Sequence, residues 1–155
     1  MAEARMLLDT EVMLDFLCER EPFYRPTRLL IIAGRVGEFD LWATAPQMID
    51  LAYRLADGDP SQMPSALERV RGLRTFIRVQ NVGDTDIDRM LAANSERPMQ
   101  QLMLNAALDL KADFLVTHDF EAYHTNLVTV TDVDGVFSWL RDNREIEYED
   151  VELSE

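Results

Sequence analysis

The chain has 155 residues, 47% hydrophobic and 28% charged, which fits one globular domain around a single core. Its formal net charge of −14 repels nucleic acid unless metal ions or a local basic patch offset it. No apolar run approaches the roughly 18 residues of a membrane span, MAEARMLLDT lacks a signal-peptide layout, and the single cysteine, Cys18, excludes an internal disulfide and argues against a zinc cluster; a cytoplasmic protein with no membrane contact is expected.

The first element is an apolar run, Met6-Leu7-Leu8, that stops at Asp9. Thr10 follows and can cap a helix in which Val12, Leu14, Phe16 and Leu17 are apolar, with Cys18 expected on the core side. Glu21–Pro26 is a break with two prolines, and Thr27–Val36 then reads as a helix that Gly37 ends. Asp40–Ala45 reads as a second strand, and Pro46 suits the first turn of a helix over Gln47–Leu55. Asp57-Gly58-Asp59-Pro60 is a turn. A helix over Met63–Leu73, ending near Gly72, and a third strand over Thr75–Val79 come next. Asp84 opens a polar helical segment to about Ala93, and Pro98 opens the apolar-periodic helix Met99–Leu110. Asp113–Thr117 and Leu127–Val130 are the fourth and fifth strands, and Asp132 can cap a last helix over Val133–Leu140. Strands alternating with helices predict a parallel sheet covered on both faces. The predicted domain spans residues 1–144, and the acidic tail 145–155, which carries no base, is expected to stay disordered.

Ligands of open parallel sheets bind at the carboxyl ends of the strands. Asp9 follows the first strand, Asp119 follows the fourth, and Asp50 lies one turn into the helix after the second. Gathered there, these carboxylates would suit magnesium or manganese, hard cations that prefer oxygen ligands, and such ions can activate water for phosphodiester cleavage. The plainer reading makes Asp9 a helix cap with Thr10, Asp50 a solvated helix residue and Asp119 a turn residue.

Four pieces of the chain carry a family resemblance: LLDTEVMLDFL with REPFY shortly after, ATAPQMIDLAYRL, NAALDLKADFLVTHDF and LVTVTDVDGVF. In this order, from Met6 to about Leu140, the chain resembles a PIN domain, the fold of many toxin-type endoribonucleases in bacterial toxin–antitoxin pairs. The resemblance implies a three-layer α/β sandwich with a five-stranded parallel sheet ordered 3-2-1-4-5. It also implies RNA cleavage dependent on Mg2+ or Mn2+, with Asp9, Asp50 and Asp119 as catalytic and metal-binding acids, an antitoxin-like protein partner, and a homodimer. Glu11 stands where the family has asparagine. The third family acid falls on Met99 or Gln100, beside Arg97. An amide can ligate a metal but brings no charge, so the site reads as altered; Glu11, or Glu96 if the helix starts early, is the auxiliary source of charge. The alternative is a non-catalytic PIN-like module that binds a protein partner or RNA.

Other chemistries fit less well. The sole lysine, Lys111, lacks the glycine-rich context of a P-loop, and no lysine follows the last strand as a receiver-type phosphoacceptor site requires. There is no GxSxG. His118 and His124 stand six apart and read as metal ligands or as ordinary surface or core histidines. Arg69, Arg71, Arg74 and Arg78 form the one basic concentration, either a phosphate contact or a solvated face. Met13, Leu17, Phe23, Tyr24, Leu29, Leu30 and Ile31 give the first two helices more apolar surface than one sheet face needs, which also points to a homodimer.

Overall fold

The structure, a computed structural model, describes residues 4–123 and 125–144. The acidic tail 145–155 and His124 lie outside the described residues. At the centre is β1 (Arg5–Leu8), in which Met6, Leu7 and Leu8 are each 0% exposed. A strand buried on both faces needs an unbroken apolar run, and each such side chain contributes roughly 1.5–3 kcal/mol on burial. β1 pairs in parallel with β2 (Asp40–Thr44) on one side and β4 (Phe114–Val116) on the other. β3 (Ile77–Gln80) and β5 (Thr129–Thr131) complete a five-stranded sheet of order β3-β2-β1-β4-β5.

Alternation along β1 builds the two cores. Met6 and Leu8 join a cluster with Val12 and Met13 of α1 (Thr10–Leu17), Leu30 and Ile31 of α2 (Tyr24–Arg35), and Leu51 of α3 (Ala45–Ala56). Leu73 of α4 (Met63–Arg74) joins the same cluster. Leu7 points the other way, onto Met103 and Ala107 of α6 (Pro98–Leu110), which follows α5 (Asp84–Ala93). Val136 and Leu140 of α7 (Val133–Arg144) pack on the first face. Gly34 is where α2 crosses β2: a Cβ there would stand 2.5 Å from Leu41 Cδ1. Among the described residues no helix is long and apolar enough to cross a membrane.

Several expectations shift. α2 begins at Tyr24 rather than Thr27, because Pro26 falls within its first turn, where a missing N–H costs nothing. α4 runs through Gly72 to Arg74. β5 is Thr129–Thr131 rather than Leu127–Val130, since the register pairs Phe114 with Thr129 and leaves Leu127 72% exposed. Cys18, expected in the core, is exposed, because α1 ends at Leu17 and the chain turns outward. The apolar surplus assigned to a homodimer is largely absorbed: Met13, Leu30 and Ile31 are core residues, and Leu17 packs against them. Of that set Phe23 stays exposed, and elsewhere exposed apolar side chains include Ile49 and Tyr53 of α3 and Leu91 of α5.

Candidate active site at the carboxyl edge of the sheet

Asp9 follows β1 directly, and its N–H donates to the Val116 carbonyl at 2.9 Å, so the ladder to β4 continues one residue past the strand. Its backbone occupies the N-cap position of α1, yet the side chain makes no capping bond. The carboxylate instead accepts the Thr117 hydroxyl at 2.7 Å. Thr117 Oγ1 in turn accepts the Asp119 N–H at 3.0 Å. One buried hydroxyl thus joins Asp9 and Asp119 across adjacent strand ends, and the cap reading of Asp9 gives way to a cross-strand link. Asp9 is 7% exposed, and burial pushes its carboxyl above the usual range, opposed by the hydrogen bond from Thr117. Tyr123, 4% exposed, lies close by; burial first, then the charge of Asp9, push its hydroxyl above the usual tyrosine range, so it stays a neutral neighbour.

Asp50 lies on α3, one turn after Gln47. Gln47 is 0% exposed and its amide donates to the Leu8 carbonyl at 2.8 Å and to Thr10 Oγ1 at 3.2 Å. Its Oε1 accepts the Thr44 N–H at 2.7 Å. This clamp holds the start of α3 on the β1–α1 turn, and Asp50 lies one turn further along the same helical face. Asp50 is half-buried, and no hydrogen bond or ion pair within the described residues engages it. Gln47 was not singled out as a site residue, although Thr44-x-x-Gln47 is a legible capping box.

The auxiliary residues divide. Glu11 is half-buried between Arg54 at 2.5 Å and Arg20 at 2.9 Å. Burial raises its pKa, but the hydrogen bonds from Arg54 and Arg20 outweigh it and hold the carboxyl below its ordinary value. Gln100 lies in the first turn of α6 and is half-buried. Glu96 is exposed and precedes α6, whose start at Pro98 leaves it off the helical face of Gln100. Arg97 Nη1 faces Asp119 Oδ2 at 3.4 Å. The described residues contain no group of three or more His, Cys, Asp and Glu side chains arranged to hold a metal ion.

A second network adjoins the edge and escaped sequence reading. Asp15, 2% exposed in α1, pairs with Arg20 at 2.8 Å and faces His118 Nε2 at 3.1 Å. Burial raises its pKa, opposed by the Arg20 and His118 charges. His118 stacks on Phe23 with ring centroids 4.3 Å apart, which accounts for it as a packing residue of the α1–α2 corner. The only available signal was an acid inside an apolar helical stripe. The basic concentration is tied locally: Arg69 donates to the Leu17 carbonyl, Arg71 pairs with Glu68, Arg74 donates to the Ile77 carbonyl at 2.9 Å and Arg78 faces Asp40 at 3.7 Å.

The fold has solved relatives. It is similar to a chain of the VapBC2 complex from Rickettsia felis bound to a DNA fragment from the promoter, with a TM-score of 0.59 and 9% identity, covering 83% of this chain and 98% of that one. It is also similar to a chain of a toxin–antitoxin complex from Klebsiella pneumoniae, with a TM-score of 0.57 and 14% identity, covering 80% and 95%. No curated protein matches. The family model described as PIN domain matches residues 5–121, a span that contains Asp9, Asp50, Gln100 and Asp119, and the chain belongs to the PIN-domain family.

Proposed function

We propose that this chain is a toxin-type PIN protein whose ribonuclease centre is weakened. Asp9, Asp50 and Asp119 are its acids, and the reading rests chiefly on Asp9: a carboxylate at the end of the central strand, 7% exposed, held by a neutral hydroxyl rather than by a cation. A buried acid left without a counter-charge is costly and is characteristic of functional sites. Magnesium or manganese is the ion that the family implies, and it would call on these acids for oxygen donors. The residues present do not make a full cage for it. Gln100 brings no charge, Arg97 engages Asp119, and Glu11 is taken by two arginines.

The substrate class of this reading is RNA, the partner is an antitoxin-like protein, and the setting is the cytoplasm. Incubating the full chain with a mixed RNA pool, in manganese and in chelator, tests it. Slow cleavage in manganese that Asp9→Asn abolishes is the expected outcome; no cleavage beyond that of Asp9→Asn removes the reading. One observation favours a second reading, a non-catalytic module that binds a protein partner or RNA: the Arg97–Asp119 pair places an arginine beside one of the edge acids. Uncleaved RNA retained by the chain would favour it. Pairing of two copies belongs to the same proposal, with Ile49 and Tyr53 of α3 as the exposed apolar face. Light scattering should then give a mass well above 17.8 kDa.

A further inference from the structure

Arg97 has a defined place. Its backbone N–H donates to Ser95 Oγ at 3.1 Å, and its carbonyl accepts the Gln101 N–H at 3.0 Å, the first bond of α6. Asp119 is fixed from the other side by its N–H on Thr117 Oγ1. Both side chains therefore extend from anchored backbone toward each other, with Nη1 and Oδ2 3.4 Å apart. Asp119 is the more open of the two strand-end acids, at 53% side-chain exposure, whereas Asp9 sits behind Thr117. A divalent cation approaching Asp119 would also meet the guanidinium 3.4 Å from it. Within that turn and the next, Gln100 is neutral and Met99 is apolar, so the start of α6 adds no carboxylate beside the Arg97–Asp119 pair.

We propose that Arg97 is the resident cation of this edge: its guanidinium balances Asp119 in place of a divalent ion, and the chain takes up neither magnesium nor manganese at low concentration. This rests on reading Asp9, Asp50 and Asp119 as the PIN centre. It differs from a merely weakened cage in naming the competing charge, and it makes metal binding recoverable by two substitutions. Calorimetric titration of the full chain with manganese, alongside melting in manganese and in chelator, tests it. Wild type and Arg97→Lys, which keeps the charge, should show no saturable heat up to about 1 mM manganese. Arg97→Ala combined with Gln100→Asp moves the local charge by two units and should bind manganese at least about tenfold more tightly. Adding Asp9→Asn should cancel the gain.

Arg97 is half-exposed, so Arg97→Ala alone should keep the fold and show part of the gain should the double variant not fold. Saturable binding by the wild type below about 1 mM overturns the proposal. So does a folded double variant as indifferent to manganese as its parent. The readout is metal uptake, so the RNA-cleavage reading stands or falls by its own assay.

Discussion

Asp9 and Asp15 are six residues apart on the same turn and helix, both almost fully buried, and burial raises the pKa of each. Their partners differ. Asp15 has the Arg20 guanidinium at 2.8 Å and the His118 imidazole at 3.1 Å. Asp9 has the Thr117 hydroxyl at 2.7 Å. The first arrangement compensates a buried charge and ties the end of α1 to the loop after β4. The second leaves the charge available at the strand edge. The contrast separates an acid that holds the fold together from one whose charge is not spent within the protein.

The largest effect should come from breaking the compensated acid. Asp15→Ala leaves Arg20 with Glu11 alone and removes the acid that faces His118. Loss of one partner in a buried pair costs several kcal/mol, and the partial exposure of Arg20 and His118 lowers that to about 2–3 kcal/mol. Urea denaturation measures it. A change under about 0.5 kcal/mol would place Asp15 among ordinary surface acids.

Asp9→Asn should act in the opposite direction. It removes the buried charge while its Oδ1 can still accept the Thr117 hydroxyl. At neutral pH the expected gain is up to about 1 kcal/mol, or roughly 2–4 °C in melting temperature for a domain of this size. The pH dependence fixes the sign. A carboxyl whose pKa is raised on folding binds more protons folded than unfolded. The stability it contributes is full below the ordinary aspartate value and is lost as pH rises through the raised one. The advantage of Asp9→Asn should therefore vanish near pH 4 and grow toward neutral. Glu11, whose pKa is lowered, contributes in the reverse sense: its share is present above the ordinary glutamate value and lost as pH falls. A melting difference between Asp9→Asn and wild type that stays constant with pH would mean that Asp9 carries no such charge cost.

The smallest effect sharpens the register of α6. If Gln100 faces Asp9 and Asp50, as the proposed centre requires, Gln100→Asp should lower the melting temperature in chelator by about 1–2 °C, through like-charge repulsion. Unchanged melting would mean that Gln100 faces away from the acids.

Much of this architecture is readable one residue at a time. Met6-Leu7-Leu8 is apolar without a break because both faces of β1 are covered, and that signal survives in the linear string. α5 and α6 begin where an acidic first turn and a proline announce them. Asp9 and Asp119 were legible as edge acids because parallel strands end on one side of a sheet. Gln47 was less so: the capping box shows that it bonds Thr44, but its bonds to Leu8 and Thr10 exist only once α3 is docked on β1.

The sequence by itself determined the order of elements, the parallel sheet and the family, because periodicity and turn residues act over a few positions at a time. Only the tertiary structure decided how each acid is used. Whether a carboxylate meets a hydroxyl, as Asp9 does, or arginines, as Glu11 and Asp15 do, depends on groups from elements distant in the chain or across a turn. Electrostatic interactions fall off over a few ångströms of space, and separation along the chain says little about that distance.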